Sequence, residues 1–482
     1  MLKRFNKVEK SWIGYDWANS VFATIMMAAV FSAFFTGLVT DPRGGDYWWS
    51  IGTTISVLIV AVMAPIIGAF ADYKGNKKKL FVFFFVVGLV FTGFCAFTNE
   101  WQYLLIGYIF AHVGFSGSTL INDAFLPDIT TPERMDMVSG WAYGMGYIGG
   151  STIPFVISIV LIQFGDNFGL DTVLAVKVSI LMTVAWWGLF TIPFLRNVKQ
   201  VNYIEKPKEG AVRHAFTNIA HTAKSIFKNK GLFLFIIAYF FYIDGVGTII
   251  SLATSYGTQL GLGMVGMILA LLVTQLVAFP CSILFSKFAD RIGSLNMLMI
   301  AVVIYFVICI LGFFMGMIIE TVEIPLKLEI LANAGVTVEQ SGNLVAINTA
   351  MISSGIADSA WNMAPAYLAA IGKATILFWI LATMVGTVQG GIQAISRSYF
   401  GKMVPPEKAG EYFGFFEIFG KFAAIMGPLL YAMTKSLTGR SSFSILAIIL
   451  LFAIALTIML IGRKYMERNT VNHRAAAEEE TE

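Results

Sequence analysis

Ionisable and amide side chains recur at helical spacing inside long apolar runs of this sequence. Near residues 101–125, His112, Ser116, Thr119 and Asp123 stand at i, i+4, i+7 and i+11, one face of a helix. Near 231–256, Asp244, Thr248 and Ser251 repeat the spacing, and near 374–397 Gln389, Gln393 and Ser396 lie beside Arg397. The first run carries Asp16, Asn19 and Ser20, and a late run carries Glu417 and Lys421 at i, i+4. A polar group in a lipid-embedded helix costs several kcal/mol unless it faces protein or water, so such rows mark the wall of a polar pathway. The chemistry they offer is reversible binding: an ammonium and a carboxylate for a zwitterion, amides for neutral hydrogen bonds, a midplane carboxylate for a proton. At 1.5 Å per residue, His112 lies about 16 Å and Asp244 about 20 Å along their runs, near the middle of each. The expected solute-binding set is Asn19, His112, Asp123, Asp244, Gln389, Gln393 and Lys421, with Asp244 and Glu417 as coupling groups. Asp244 and Lys421 are the deepest unlike charges on different runs, and Gly245 and Gly247 favour a local helix break beside Asp244. His112 equally suits a hydrogen-bonded packing residue, and Glu417 with Lys421 equally suits a self-satisfied pair.

The elements that must position these residues are membrane spans. Hydrophobic residues make up 57% of the 482 and charged residues 13%, outside the range of soluble domains. Twelve apolar runs of about 20 residues or more each suffice to cross a bilayer core. With both termini inside the cell membrane, 26 of the 33 Lys and Arg fall in inside segments and 5 in outside loops. The formal charge of +4 is thus a topological signal, and no nucleic-acid partner is expected. The run behind Met1-Leu2-Lys3-Arg4 is too long for a signal peptide and lacks a small-residue cleavage site, so retention is expected. Cys95, Cys281 and Cys309 read as buried small hydrophobes, with no disulfide, metal or cofactor implied.

A loop occurs twice. Gly68-Ala69-Phe70-Ala71-Asp72-Tyr73-Lys74-Gly75 is echoed 218 residues later by Ser286-Lys287-Phe288-Ala289-Asp290-Arg291-Ile292-Gly293, each after the second apolar run of its half. Repetition of this kind implies two homologous bundles in one chain. Gly75 and Gly293 suit tight turns, and Asp72 and Asp290 are expected to cap the following helix, to latch the halves as gating loops, or both. The expected units are a six-helix bundle over 1–195, a linker over 196–230 with a short surface helix near Ile219–Phe227, a second six-helix bundle over 231–463, and a disordered tail over 464–482. An insertion over 320–372 interrupts the second bundle outside the cell, as a cap over the outer mouth or as an interfacial hairpin. The glycine-rich stretch Gly140–Gly150 reads as close helix packing.

The Asp–x–x–Gly loops with trailing basic residues resemble the cytoplasmic signature of the major facilitator superfamily, whose first, fourth, seventh and tenth spans line a central cavity. Tyr15-Asp16-Trp17-Ala18-Asn19-Ser20 resembles a signature of its vacuole-effluxer-like branch. Asn122–Pro127, Gln389–Ser398 and Phe413–Phe416 with Gly420-Lys421 are similar to other recurring runs of that branch. The resemblance implies an all-α integral membrane protein of twelve helices in two six-helix pseudo-repeats. It implies a monomeric transporter of a small polar solute by alternating access, with protons as a further partner; fungal members suggest amino-acid efflux. The fourth-span Arg–x–x–x–Gly motif of many proton-driven antiporters is missing. A non-transporting sensor on the same fold is the competing reading. Gly-x-Ser-x-Gly, His-Glu-x-x-His and the phosphate-loop motif are all missing, which disfavours a membrane enzyme.

Overall fold

The structure, a computed structural model, describes residues 4–206, 211–259, 263–338, 340–357, 359–423 and 425–479. Among them twelve helices are long and apolar enough to cross a membrane. In chain order, spans 1 to 6 are Lys7–Leu38, Gly45–Ala71, Asn76–Cys95, Trp101–Ala124, Met135–Phe168 and Thr172–Asn197. Spans 7 to 12 are Lys230–Ala253, Ile268–Ile292, Ser294–Asn333, Pro365–Met403, Pro406–Thr438 and Ser441–Asn469. No strand occurs among the described residues; one isolated bridge pairs Tyr73 with Ile204.

Burial divides the chain into two bundles at the linker. One apolar cluster draws almost wholly on residues 5–198, including Trp12, Phe22, Phe81, Tyr108 and Trp187, and a second on residues 226–466, including Phe235, Tyr242, Tyr305, Phe400 and Phe452. Large apolar side chains in mid-span point outward instead, such as Val62, Phe83, Leu189, Phe314 and Ile376. That inversion suits a hydrocarbon solvent.

Local sequence explains the irregular places. Span 1 makes a wider π turn over Ala23–Ala29 and span 5 another over Gly146–Thr152. Spans 1 and 5 pack so closely there that a Cβ on Gly149 would fall 1.9 Å from the Trp17 ring. Span 11 is broken between Phe422 and Met426, because Pro428 lacks the N–H that would continue the helix across that point. Span 7 is continuous through Gly245 and Gly247, so the break expected beside Asp244 lies in span 11 instead.

The insertion lengthens its neighbours. Span 9 runs unbroken for 40 residues to Asn333, a short helix covers Leu344–Ser353, and span 10 begins at Pro365. Ile324, Leu331, Ile347 and Met351 form a small core there. Lys327 ties it by bonding Glu323 at 2.5 Å and Asn348 at 2.7 Å over the Trp361 ring. The insertion packs on its own half, with Glu320 accepting from Ser442 N and Oγ. Between the bundles, residues 200–205 follow the first repeated loop: Gln200 accepts from Gly75 N, and Lys74 pairs with Glu205 at 2.8 Å. The linker helix is longer than expected, Ala211–Lys228, and its Ser225 accepts from Tyr412 Oη on span 11. Beyond span 12 the helix runs on to Glu479, through most of the segment expected to be a disordered tail; residues 480–482 lie outside the described residues.

Candidate functional site

Gln389, Gln393 and Arg397 follow each other at four-residue steps on span 10 and face one way. The helix continues to Met403, so Arg397 is buried well short of its end, 3% exposed. Its Nη2 donates to Asp16 at 3.0 Å, its Nη1 to Asp123 at 2.9 Å, and its Nε to Ser139 Oγ at 3.0 Å. The rings of Trp12 and Tyr143 each lie 4.5 Å from the guanidinium carbon. These partners all belong to spans 1, 4 and 5, so a cation of the second half is enclosed by groups of the first. Two carboxylates share this one guanidinium, a fork geometry that an ammonium could not reproduce.

The Arg397 layer is the floor of a cavity of about 500 Å³ between the bundles. Asp16, Asn19, Thr119, Gln389 and Gln393 supply polar surface, and Phe115, Ile250, Leu271 and Phe378 supply apolar wall. The lining climbs span 1 from Asp16 to Ala28 and span 10 from Arg397 back to Phe378. Both directions lead away from the face that bears the termini.

Below the floor the two halves are joined. Asp136, at the start of span 5, accepts from Ser398 Oγ at 2.5 Å, Lys402 Nζ at 2.5 Å and Ser294 Oγ at 2.7 Å. Asp72 leaves its own loop and accepts from the Gly410 and Glu411 amides, each at 2.8 Å, at the N-terminal turn of span 11. It therefore caps a helix of the other half and not, as expected, the helix that follows it, whose N-cap Gly75 makes no side-chain bond. Absent side chains permit the approach: a Cβ on Gly68 would fall 2.1 Å from the Gly410 carbonyl oxygen. Burial pushes the Asp72 carboxyl up to about 7, against the Lys77 ammonium and the two amides, which favour its ionised form.

The other candidate residues separate into two groups. Asn19, Gln389 and Gln393 line the cavity, and Asp123 stands behind its floor on Arg397. His112, Asp244, Glu417 and Lys421 do not line it. His112 Nδ1 lies 2.6 Å from Ser56 Oγ on span 2. Asp244 accepts from the Gly427 amide at 2.8 Å, capping the outer segment of broken span 11, and Lys421 pairs with Glu417 at 3.2 Å on its own helix. The zwitterion-binding pair expected from Asp244 and Lys421 is not assembled: each charge has another partner. Gly75 and Gly293 both take left-handed turns at φ 73° and 91°. Asp290 is exposed and caps no helix, since Gly293 is the N-cap of span 9. Asp16 and Arg397, the centre of the floor, stand outside the residue set expected from sequence. The available signal was one arginine and two aspartates on spans already marked by polar rows. The apolar run near 374–397 stops at Arg397, which therefore reads as a helix-end residue.

Two six-helix bundles around a central cavity with a charged floor define a transporter of the major facilitator class. The chain belongs to the vacuole effluxer Atg22-like family, whose model matches residues 50–358 and 359–471. It is 40% identical over 467 residues to the MFS-type transporter YxiO of Bacillus subtilis (strain 168), covering 95% of each chain. It is 23% identical over 455 residues to autophagy-related protein 22 of Saccharomyces cerevisiae (strain YJM789), covering 86% of this chain and 76% of that protein. Among solved structures, the human organic anion transporter MFSD10 (TETRAN) matches with a TM-score of 0.59 at 12% identity, covering 94% of this chain and 99% of that one.

Proposed function

We propose that this chain is a secondary active transporter of a small zwitterionic solute of the amino-acid class, working by alternating access at the cell membrane, in the direction of efflux. The Lys and Arg bias supports a cytoplasmic position for both termini and the linker, which makes the described state open outward and sealed inward. The observation that carries the reading is the placement of Arg397: a cation of one half held by carboxylates of the other, at the floor of the cavity. When the halves part on the inner side, Arg397 leaves with the second bundle. Asp16 and Asp123 then face each other on the first bundle without a counter-charge. A proton on one of them, or the ammonium of a solute, replaces the lost guanidinium. Coupling is thereby assigned to Asp16 and Asp123; Asp244, whose Oδ2 caps span 11 while its buried Oδ1 has no hydrogen-bond partner among the described residues, keeps the second coupling role. Asn19, Gln389 and Gln393 supply neutral hydrogen bonds, and the apolar wall accepts a side chain. The test is counterflow of amino acids in proteoliposomes with and without an imposed pH gradient. Wild-type exchange that Asp16→Asn abolishes supports the reading. Absence of exchange for every amino acid would reject the solute class, and indifference to the gradient would reject coupling alone.

A further inference from the structure

Asp244 is a buried carboxylate satisfied on one side only. It is 1% exposed, its Oδ2 accepts from the Gly427 amide, and no basic side chain among the described residues pairs with it. Its Oδ1 is sealed from solvent and has no hydrogen-bond partner among the described residues. One helical turn further along span 7, Thr248 repeats the condition: the residue is 2% exposed and its hydroxyl is likewise sealed and unpartnered. The two oxygens converge. A Cβ on Gly427 would fall 1.9 Å from Thr248 Oγ1 and 3.1 Å from Asp244 Oδ1, so both meet the backbone where the outer segment of broken span 11 begins. The inner segment ends just before it, at Phe422, and its last carbonyls lose their helical donors at the break.

An ionised carboxylate inside a membrane span is costly without a counter-charge, and an unpartnered hydroxyl beside it adds to the cost. The Gly427 amide offsets part of this by setting the positive end of a helix against Oδ2. Oδ1 still calls for a cation. A proton there would remove the charge but leave the Thr248 hydroxyl as it is, since the two side chains form no hydrogen bond with each other. We propose that the break in span 11 holds one sodium ion, bound by Asp244 Oδ1 and Thr248 Oγ1 and facing the carbonyl end of the inner segment. One carboxylate matches one positive charge, and hard oxygen donors suit an ion of this kind. The sealed surroundings require the ion to shed its water, and the close approach of Gly427 favours sodium over the larger potassium. Binding stands on this geometry alone. Its consequence rests on the alternating-access reading: the ion ties span 7 to both segments of span 11, which gives the second coupling role of Asp244 a chemical identity.

The experiment titrates sodium chloride against the full chain in nanodiscs, with N-methyl-D-glucamine chloride holding ionic strength constant, and reads the thermal unfolding midpoint. Wild type is expected to show a saturable rise with sodium, and potassium should need at least about tenfold more. Thr248→Val keeps the side-chain shape and removes a buried hydroxyl that has no partner, so without sodium it should be at least as stable as wild type. With sodium its half-saturating concentration should rise at least about tenfold, so that wild type overtakes it. Asp244→Asn keeps an acceptor for the Gly427 amide but replaces the free oxygen by an NH₂ group, and should show no saturable rise. Absence of a sodium response in wild type, as a proton alone on Asp244 would give, overturns the proposal. So does a half-saturating concentration unchanged in Thr248→Val, or a rise retained in Asp244→Asn. Sodium binding lost in both variants upholds the site even where counterflow fails for every amino acid, a failure that counts against the transport reading alone.

Discussion

Arg397→Gln is the sharpest perturbation of the floor. The guanidinium satisfies two carboxylates and a hydroxyl and lies between two rings, so its removal leaves Asp16 and Asp123 buried beside each other with no cation. Removing one partner of a buried ion pair costs about 3–5 kcal/mol. At about 1.4 kcal/mol per factor of ten, that is a loss of about two to three and a half powers of ten in the folded-to-unfolded ratio. The penalty comes from uncompensated charge, so neutralising the aspartates should relieve it. The triple variant Arg397→Gln, Asp16→Asn, Asp123→Asn is expected to recover most of the stability while still failing in counterflow. Arg397→Lys should fall between, because a point charge cannot bridge both carboxylates and Ser139 together. Denaturant unfolding of the purified protein reads all three, and counterflow reads function. A single variant as stable as wild type, or a triple variant no better than the single, would refute the charge argument.

Asp72→Asn removes one carboxylate acceptor at the span 11 N-terminus, worth about 1 kcal/mol, and should raise about fivefold the labelling of a cysteine introduced at the inner joint between the halves. The raised Asp72 value means that the latched state takes up a proton between the ordinary 3.8 and about 7. Latch strength should therefore fall as pH rises through that range and level off above it, and the variant should show a flat profile. Asp244→Asn and Lys421→Gln should destabilise additively, since Gly427 and Glu417 are their separate partners; a coupling energy above about 0.5 kcal/mol in a double-mutant cycle would contradict that. Impermeant maleimide on intact cells should label Thr40→Cys and spare Glu205→Cys; the reverse pattern would overturn the assigned orientation.

Twelve spans, two bundles and the repeated loop could be read from apolar run length and an echoed motif, because both are periodic properties of the chain. The cavity wall was legible at Asn19, Gln389 and Gln393, where polar residues sit at helical spacing on lining spans. Its centre was not. Whether Arg397 is a helix-end cation or a buried one depends on where span 10 stops, and apolar run length locates helix ends poorly once polar residues are buried by a partner bundle. Asp244 shows the converse: a buried midplane carboxylate has the same sequence appearance whether it binds a solute or a backbone amide. The helix end it caps exists because of Pro428, nearly two hundred residues away. Asymmetry between Asp72 and Asp290 was equally hidden, since the shared Phe-Ala-Asp-x-x-Gly core meets Gly410 in one half and a gap in the other.

The linker's attachment sets the geometry of any opening. Ile204 is pinned to the first bundle by its bridge to Tyr73, and the helix that touches Tyr412 begins at Ala211. Seven residue steps separate those points, a tether no longer than about 25 Å fully drawn out. On the alternating-access reading, the tether is fastened beside Asp72, at the joint that parts for inner access. The helix it leads into also packs Ile219 against Ala69 and Tyr73 of the first bundle, so the linker is held on both sides of that joint. The bond from Tyr412 to Ser225 is therefore the contact that a parting of the halves loads first, and the helix from Ala211 to Ser225 adds its own length to the tether's reach.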